Sequence, residues 1–309
     1  MIIISGENVA DLLTVGPGLL RTSLGGGPAN TAVAAARLGG AVSYAARFGS
    51  DAFGRAFRER LCAAGVDLSH AVEVAAPSSL ALANLDANGA AHYDFWLEGA
   101  ADFAATELPE AGLHDADIRH IGSLAAYWPP GADIAERWIE DAPVTATLDV
   151  NLRQIVLERR PDAVTRLERL VHLADVVKAS DEDLRLAHPD TDPEATARRW
   201  LEARVPDSPS LVVITLGADG AVGLTRDGRR VHVPAPKVEV ADTIGAGDAA
   251  MGALLTVLAA TSVAAVCEDL AETLRFMVDV AAVACTQAGA YAPTAGEVEK
   301  YFAASPARE

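Results

Sequence analysis

The segment "DTIGAGDAAMGALL", residues 242–255, joins a turn of small residues to an acid and an apolar helix. Gly245, Ala246 and Gly247 let a ligand approach the main chain, and the free N–H groups in a helix's first turn bind anions such as phosphate. An acid inside an anion site is unfavourable unless it does chemistry. Asp248 could take a proton from a hydroxyl that attacks a phosphoryl group, so the segment predicts a phosphoryl-transfer site.

A structural interpretation of the same segment is also open. The glycines would then make a tight turn, and Asp248 would only complement the positive end of the helix dipole. A glycine-rich turn alone favours this interpretation. The acid placed within the anion site favours the catalytic one.

Short apolar segments alternate with longer helical patterns along most of the chain. A helix is predicted to begin at Pro28 and to end at Gly39 and Gly40, and another to be capped by Ser50 or Asp51. Strands are predicted at "MIIISG", "AVSYAARFG", "DIRHIGS", "VTATLDVN", "ADVVKAS" and "LVVITLG". The alternation predicts an α/β fold whose parallel sheet is covered by helices on both faces.

Two segments interrupt this alternation. "ENVADLLTVGPGLLRTSLGG" is extended and punctuated by glycine and proline, and "SSLALANLDANGAAHYDFWLE" predicts two strands around a turn at residues 86–89. Together they predict a small β-sheet lid, formed by segments at about 8–24 and 78–98, over one edge of the main sheet. The lid would be inserted within a single domain that spans residues 1–309.

Composition excludes several classes of function. The chain has 309 residues, half of them apolar, which is enough for a large core. Its net charge of −18 is spread along the chain and argues against a nucleic-acid or anionic-membrane surface. The three cysteines are far apart and odd in number, which suits a reducing cytoplasm better than a disulfide framework.

Several motifs are missing from the sequence. No segment has the pattern of a signal peptide or a membrane span, and the seven histidines show no metal-ligand spacing. There is no G-x-x-x-x-G-K-[ST] loop, and no G-x-G-x-x-G follows the first strand. The sequence therefore lacks the main motif that would indicate a P-loop enzyme or a nicotinamide oxidoreductase.

Two segments resemble the signatures of the PfkB/ribokinase-like carbohydrate kinases. "DTIGAGD" resembles the C-terminal signature D-T-x-G-A-G-D, and "GGGPANTAVAAARLG" resembles the N-terminal one, in which paired glycines precede a helix that carries an asparagine. "LDVNLR", "VVKAS", "VVITLGADGA" and "AVACTQAGAYAP" resemble further family segments, so the resemblance covers almost the whole chain. It implies a ribokinase-like three-layer α/β/α sandwich with a lid and ATP-dependent phosphorylation of an alcohol.

The resemblance assigns roles on the sugar side of the site. It implies that Asp248 is the catalytic base and that residues 245–247 form the anion hole. A carboxylate, bare backbone and an amide suit a polyol, which offers donors and acceptors together. Turn formation or helix capping is the alternative for Asp11 and Asn30. With the predicted lid supplying specificity, the substrate-binding positions are Asp11, Gly26, Gly27, Asn30 and Phe95.

Other positions are implied on the phosphate side. Arg153 follows the strand "TATLDVN" at its carboxyl end, where open α/β sheets bind ligands, and could steady the transferring phosphate. A solvated surface role is the alternative for Arg153 and for Lys178. The implied nucleotide-binding positions are Lys178, Ser180, Thr215, Gly217, Gly220, Gly247 and Gly289.

Metal positions follow the family pattern less closely. "KASDEDL" departs from the ribokinase pattern N-x-x-E, which belongs to a magnesium-linked water network, because Ser180 and Asp183 stand in those places. The serine is typical of fructokinase-like members, whereas the shorter Asp183 weakens the carried-over Mg²⁺ role. Asp242 lies where some members bind a monovalent cation such as K⁺, and a turn-stabilising carboxylate is the alternative.

The sequence thus predicts a cytoplasmic sugar kinase that uses ATP and Mg²⁺. Fructose is the favoured substrate, because "GGGPAN", "DFWLEGAAD" and "KASDEDL" resemble the fructokinase-like branch. A 2-keto-3-deoxygluconate, ribose or nucleoside kinase remains an alternative, as does a catalytically silent sugar-binding protein on the same fold. A homodimer, in which one subunit caps the lid edge of another, is a further expectation.

Overall fold

The computed structural model describes residues 1–16, 18–85, 91–104, 116–140, 144–202 and 210–304. The predicted turn at 86–89 lies outside them. The strands are β1 Ile2–Ile4, β2 Val9–Gly16, β3 Leu19–Gly25, β4 Val42–Tyr44, β5 Arg47–Gly49, β6 Val72–Val74, β7 Ser79–Leu85, β8 Ala91–Trp96, β9 Ile118–Gly122, β10 Thr145–Asp149, β11 Val176–Ser180, β12 Leu211–Thr215, β13 Ala221–Thr225 and β14 Arg230–Val233. The helices are α1 Gly27–Arg37, α2 Ala52–Ala63, α3 Gly131–Glu140, α4 Gln154–Arg159, α5 Ala163–Leu173, α6 Asp181–Ala187, α7 Pro193–Glu202, α8 Ala246–Ala260, α9 Val263–Glu268, α10 Leu270–Ala284 and α11 Ala295–Ala304.

The main sheet has eight strands in the order β14-β13-β12-β11-β10-β9-β1-β4. The six strands from β12 to β4 are parallel, whereas β13 and β14 are antiparallel additions at one edge. The strands between the two edges are paired on both sides and covered on both faces, so nearly all of their residues are buried. Because these six strands run in the same direction, their carboxyl ends all lie on the same side of the sheet.

Alternating side chains of the strands point to two separate cores. In β1, Ile2 and Ile4 belong to one core and Ile3 to the other; in β12, Val213 belongs to the first, whereas Val212 belongs to the second. Helices α1, α2, α8, α10 and α11 pack on the first face, and α3, α5, α6 and α7 pack on the second. The period of two along each strand therefore produces the predicted three-layer α/β/α sandwich.

The structure corrects two expectations about strands. The sheet is not purely parallel, because β13 and β14 fold back beside β12 after the turn at residues 217–220. "AVSYAARFG" is not one strand: β4 joins the main sheet, and β5 pairs with β6 in a separate two-stranded sheet. The division falls at Ala45 and Ala46, which are buried and lie in neither strand.

A second sheet, here called the small sheet, consists of β3, β2, β7 and β8 in that order. Its strands come from the two segments that interrupt the α/β alternation. Val15, Leu19, Leu20 and Trp96 on these strands are exposed. None of the helices in the described parts of the chain has the length and hydropathy needed to span a bilayer.

Helices α1 and α8 approach each other very closely on the first face of the main sheet. A Cβ atom added to Gly252 of α8 would lie 2.7 Å from the Cβ of Ala34 and 2.8 Å from the backbone nitrogen of Ala35, both in α1. Such distances leave no room for a side chain at residue 252. The small residues of "NTAVAAAR" and "DAAMGALL" therefore set the distance between the two helices.

We expect Gly252→Ala to destabilise the protein even though alanine is the better helix former. Overpacking should cost about 1–3 kcal/mol in the free energy of unfolding, measured by urea denaturation. Gly296→Ala is the matched control, because residue 296 also lies in a helix and a Cβ there meets open space. The control should be neutral or stabilising by up to about 1 kcal/mol. Equal effects at both positions would contradict the close helix contact.

Candidate active site

The loop before α8 ends in a conformation that only glycine adopts readily. Gly245 has a φ of 79°, and a Cβ atom there would lie 2.8 Å from the Cβ of Ala290. Helix α8 begins at Ala246, so Gly247 and Asp248 lie in its first turn. The Ala246 N–H donates to the Thr243 oxygen at 3.2 Å, whereas the N–H groups of Gly247 and Asp248 have no acceptors further back in the helix, which makes the position suitable for an anion.

The first turns of α1 and α8 meet at a hydrogen bond between side chains. Asn30 Nδ2 donates to Asp248 Oδ2 at 2.8 Å, and the Asn30 side chain is buried. Residues 218 positions apart in the chain are therefore in direct contact. The structure brings together the predicted base and one predicted sugar-binding residue.

Burial raises the pKa of Asp248. The hydrogen bond from Asn30 opposes this rise, as do the positive charges of Lys178, Arg153 and Arg60. Desolvation thus makes this carboxylate a stronger base, while the surrounding cations favour its ionised form. This combination suits a general base.

Lys178 and Asp149 form a buried ion pair beneath the first turn of α8. They stand opposite each other on β11 and β10, and Lys178 Nζ lies 2.8 and 2.9 Å from the two carboxylate oxygens of Asp149. Burial raises the pKa of Asp149 to about 6 against the opposing charge of Lys178. A Cβ atom at Gly247 would lie 3.7 Å from Nζ, so the ammonium group is close to the predicted anion hole.

Two predicted sugar-binding residues lie in one row across the small sheet. Asp11 of β2 pairs with Ser23 of β3 and with Ala81 of β7, which in turn pairs with Phe95 of β8. Because directly paired residues project to the same face of a sheet, Asp11 and Phe95 share one face. Burial raises the pKa of Asp11 to about 6.

The paired glycines connect this row to the main sheet. A Cβ atom at Gly25 would lie 2.2 Å from Asp11 Oδ2, which places the carboxylate against the backbone just before Gly26, the N-cap of α1. At Gly27, a Cβ atom would lie 2.6 Å from Asn151 Nδ2. The Asp11 carboxylate, the backbone of 26–27 and the Asn30 amide thus lie along one continuous path.

Arg153 and the segment after β11 border the same region from the second face. Arg153 is exposed and precedes α4, and its charge acts on Asp248. Ser180 and Asp183 form a capping box at the start of α6: the Ser180 N–H donates to Asp183 Oδ2 at 2.8 Å, and the Asp183 N–H donates to Ser180 Oγ at 3.0 Å. Asp183 is buried, and one of its oxygens is already used by the backbone.

The remaining predicted nucleotide positions lie at the end of β12, in the turn that follows it and in the segment after α10. Thr215 ends β12, and the predicted tight turn follows it as a short 3₁₀ turn at Gly217–Asp219, with Gly220 next. Asp242 accepts hydrogen bonds from the Ile244 N–H at 3.0 Å and from the Gly289 N–H at 2.8 Å. These two bonds lower the pKa of Asp242 and hold the loop before α8 against residue 289.

Two residues of the site were missed by sequence reasoning. Glu7 is buried beside Ser123, its Oε2 accepts from the Ala125 N–H at 3.0 Å, and its charge acts on Asp248. Its position just after β1, at the carboxyl end of a parallel strand, was a usable signal. Arg60 of α2 contacts Asn30, and no local pattern marks it. Within the described ranges, no three or more His, Cys, Asp or Glu side chains are grouped as metal ligands.

Comparison with known proteins agrees with the family resemblance of the sequence. The model of the pfkB family carbohydrate kinases matches residues 17–295. A fructokinase of Rhizobium leguminosarum bv. trifolii is 36% identical over 256 residues, 80% of this chain and 76% of the relative. The structure of a Xylella fastidiosa fructokinase with bound ATP superimposes with a TM-score of 0.86 at 31% identity and covers 98% of both chains. A Vibrio cholerae O395 fructokinase with fructose, ADP and calcium gives 0.82 at 28% identity, over 97% of this chain and 98% of that one.

The chain belongs to the pfkB family of carbohydrate kinases, which are phosphotransferases with an alcohol group as acceptor. The fold is that of the ribokinase-like kinases, as the sequence predicted. The fructokinases among its relatives also support the predicted placement in the fructokinase-like branch.

We expect Lys178→Met to destabilise the protein by about 3–5 kcal/mol at pH 7.5, because it leaves the Asp149 carboxylate buried without its partner. Below pH 6 the cost should shrink, since a carboxyl whose pKa is raised takes up a proton there and loses its charge. Urea unfolding at pH 7.5 and 5 measures both values. The exposed Lys237→Met is the control and should change stability by less than about 0.5 kcal/mol. A cost that does not vary with pH would exclude Asp149 as the group left behind.

Proposed function

We propose that this protein is an ATP-dependent fructokinase in which Asp248 removes the proton from a primary hydroxyl of the sugar. The observation that carries the proposal is the position of Asp248, in the first turn of α8 and hydrogen-bonded to Asn30. A base at that point is next to a helix N-terminus able to hold the phosphate under attack. Proton removal and phosphate binding can therefore occur within one turn of helix.

The proposed transfer divides its tasks among four groups. Asp248 accepts the hydroxyl proton as the oxygen attacks the γ-phosphoryl group, and the backbone of residues 245–247 binds the phosphate oxygens. Lys178, held by Asp149 close to Gly247, would offset negative charge on the phosphates. The exposed Arg153, whose charge also acts on Asp248, would approach the same phosphates.

Fructose is the proposed acceptor because the relatives named fructokinase include one whose structure contains fructose and ADP. The path from Asp11 along residues 26–27 to Asn30 offers acceptors and donors for several hydroxyls of one sugar. Phe95 shares a face of the small sheet with Asp11 and would cover an apolar side of the sugar. We also propose that the small sheet, with its segments at about 8–24 and 78–98, is a lid within one domain of residues 1–309 and excludes water.

ATP would lie along the turns that carry Thr215, Gly217, Gly220 and Gly289. A relative of the same fold contains ATP, which supports this assignment. When bound, Mg²⁺ would neutralise phosphate charge. Because the Ser180 N–H occupies one oxygen of Asp183, we propose that Asp183 acts on Mg²⁺ through water, with Ser180 as its cap.

Three predictions accompany this proposal. A monovalent cation such as K⁺ at Asp242 stays a prediction; both carboxylate oxygens there accept backbone N–H bonds, which favours the turn-stabilising alternative. A homodimer stays a prediction that the exposed apolar residues of the small sheet support. A cytoplasmic location stays a prediction based on the odd number of cysteines.

Release of ADP in the presence of ATP and Mg²⁺ tests the proposed activity. We expect the highest kcat/KM with D-fructose among fructose, ribose, 2-keto-3-deoxygluconate and adenosine. If another member of the panel has the highest kcat/KM, fructose is not the preferred substrate, but the proposed kinase activity still holds. Binding of sugar by calorimetry without any ADP release would identify a catalytically silent sugar-binding protein.

Asp248→Asn should lower kcat by about two to four orders of magnitude, because an amide cannot accept the proton. Binding of ATP should persist, since the neutral amide does not repel phosphate. Asp162→Asn is the control, because Asp162 is an exposed acid at the start of α5, outside the site. Steady-state rates and nucleotide titration measure the two effects. A kcat for Asp248→Asn near that of the unchanged protein would show that Asp248 is not the general base.

The KM for the sugar should rise as the pH falls below about 6, whereas the KM for ATP should not. Burial raises the pKa of Asp11 to about 6, so its carboxylate takes up a proton in that range and loses acceptor capacity. Asp11→Asn should have a raised sugar KM that no longer varies between pH 5 and 7. If the sugar KM of Asp11→Asn still rises as the pH falls, a group other than Asp11 causes the pH dependence.

A further inference from the structure

Arg60 joins two parts of the site from a third element. Its Nη1 donates to the backbone oxygen of Leu24 at 2.9 Å, and its Nη2 donates to Asn30 Oδ1 at 2.8 Å. Leu24 lies near the end of β3 in the small sheet, whereas Asn30 lies in the first turn of α1. One guanidinium on α2 therefore bridges the small sheet and the residue that contacts Asp248.

The bond from Arg60 determines which way the Asn30 amide faces. An asparagine side chain has one acceptor oxygen and one donor nitrogen, which leave the planar amide carbon in different directions. Arg60 occupies the oxygen, so the nitrogen faces Asp248 Oδ2 at 2.8 Å. The reversed amide would set its oxygen against the carboxylate and its N–H groups against the guanidinium. Both contacts would then be repulsive.

The geometry requires an arginine. The guanidinium is planar and presents several N–H donors in a fixed fork, so it can hold two acceptors at once. A lysine ammonium at the same position carries the same charge but has no fixed fork. Arg60→Lys therefore separates the effect of the charge from the effect of the geometry.

We propose that Arg60 is a positioning residue: it holds Asn30 with its amide toward Asp248 and ties that arrangement to the small sheet through the Leu24 carbonyl. The proposal rests on the proposed function, in which Asp248 is the base. The position of β3 and the alignment of the base are then linked by two consecutive hydrogen bonds. Displacement of β3 would move the Leu24 carbonyl that holds Arg60 and would thereby weaken the bond from Arg60 to Asn30. The base is therefore aligned best when the small sheet is in place.

The charges near Asp248 come from several elements and must be separated in the test. Arg60 of α2, Lys178 of β11 and Arg153 before α4 favour its ionised form. Glu7 after β1 and Asp149 of β10 interact with it as like charges. Loss of the Arg60 charge should therefore raise the pKa of Asp248 and move the acid limb of kcat/KM to higher pH.

The test compares Arg60→Lys and Arg60→Met with the unchanged protein. In Arg60→Lys, kcat should fall about 10- to 100-fold and the sugar KM should rise, while the ATP KM and the acid limb stay in place. In Arg60→Met, the acid limb should also move to higher pH. Arg55→Met is the control, because Arg55 lies on the same helix, is exposed and donates to the Ser50 backbone oxygen. A kcat for Arg60→Lys within twofold of the unchanged protein would overturn the proposal.

A double-mutant cycle tests whether Arg60 acts through Asn30. In the Asn30→Ala background, Arg60→Lys should cause no further fall in kcat, since the contact that it disturbs is already gone. The rise in sugar KM should persist, because the bond to Leu24 is independent of Asn30. Equal losses of kcat in both backgrounds would show that Arg60 does not act through Asn30.

A structural measurement keeps the proposal separate from the proposed function. The side-chain amide signal of Asn30 in a ¹H–¹⁵N NMR spectrum is assigned by its loss in Asn30→Ala. If no sugar yields ADP, the proposed function fails, and this signal still decides the role of Arg60. A shift in Arg60→Lys but not in Arg55→Met would support the contact. An unshifted signal in Arg60→Lys would reject the contact. If Arg60→Met does not fold, the results for Arg60→Lys alone decide whether the proposal stands.

Discussion

Close packing of α1 against α8 is the constraint on which the site depends. The two helices approach so closely that no side chain fits at Gly252, and their first turns then bring Asn30 within hydrogen-bond distance of Asp248. A larger separation would deprive the buried Asn30 amide and the half-buried Asp248 carboxylate of this hydrogen bond. Small residues in both helices therefore have a chemical consequence as well as a packing one, because the distance between backbones sets the distance between functional groups.

The site also concentrates opposite charges in a strongly acidic protein. Although the chain carries a net charge of −18, Lys178, Arg153 and Arg60 all act on the single carboxylate of Asp248. The structure thus supplies positive potential locally rather than over its whole surface, which is what an anionic nucleotide requires of an acidic protein. Buried acids are present as well. Burial raises the pKa of Glu7, whose carboxylate accepts a hydrogen bond from the Ala125 N–H.

Much of the fold followed from local patterns. All six predicted strands have counterparts in the main sheet, and Asp51 caps α2 as expected, because apolar runs and caps are properties of a few neighbouring residues. The antiparallel strands β13 and β14 were missed. They are short segments, and their place beside β12 is set by pairing across the sheet rather than by their own composition. The division between β4 and β5 was missed for the same reason.

The sequence by itself determined the family and the residues of two signatures, since "GGGPAN" and "DTIGAGD" carry the glycines, the amide and the acid in fixed local order. It could not determine that Asn30 donates to Asp248, that Lys178 is held by Asp149, or that Arg60 fixes the amide of Asn30. These contacts join residues that are far apart in the chain. Their distances and orientations are decided only when helices and strands pack, because a hydrogen bond depends on the relative position of two groups and not on the identity of either alone.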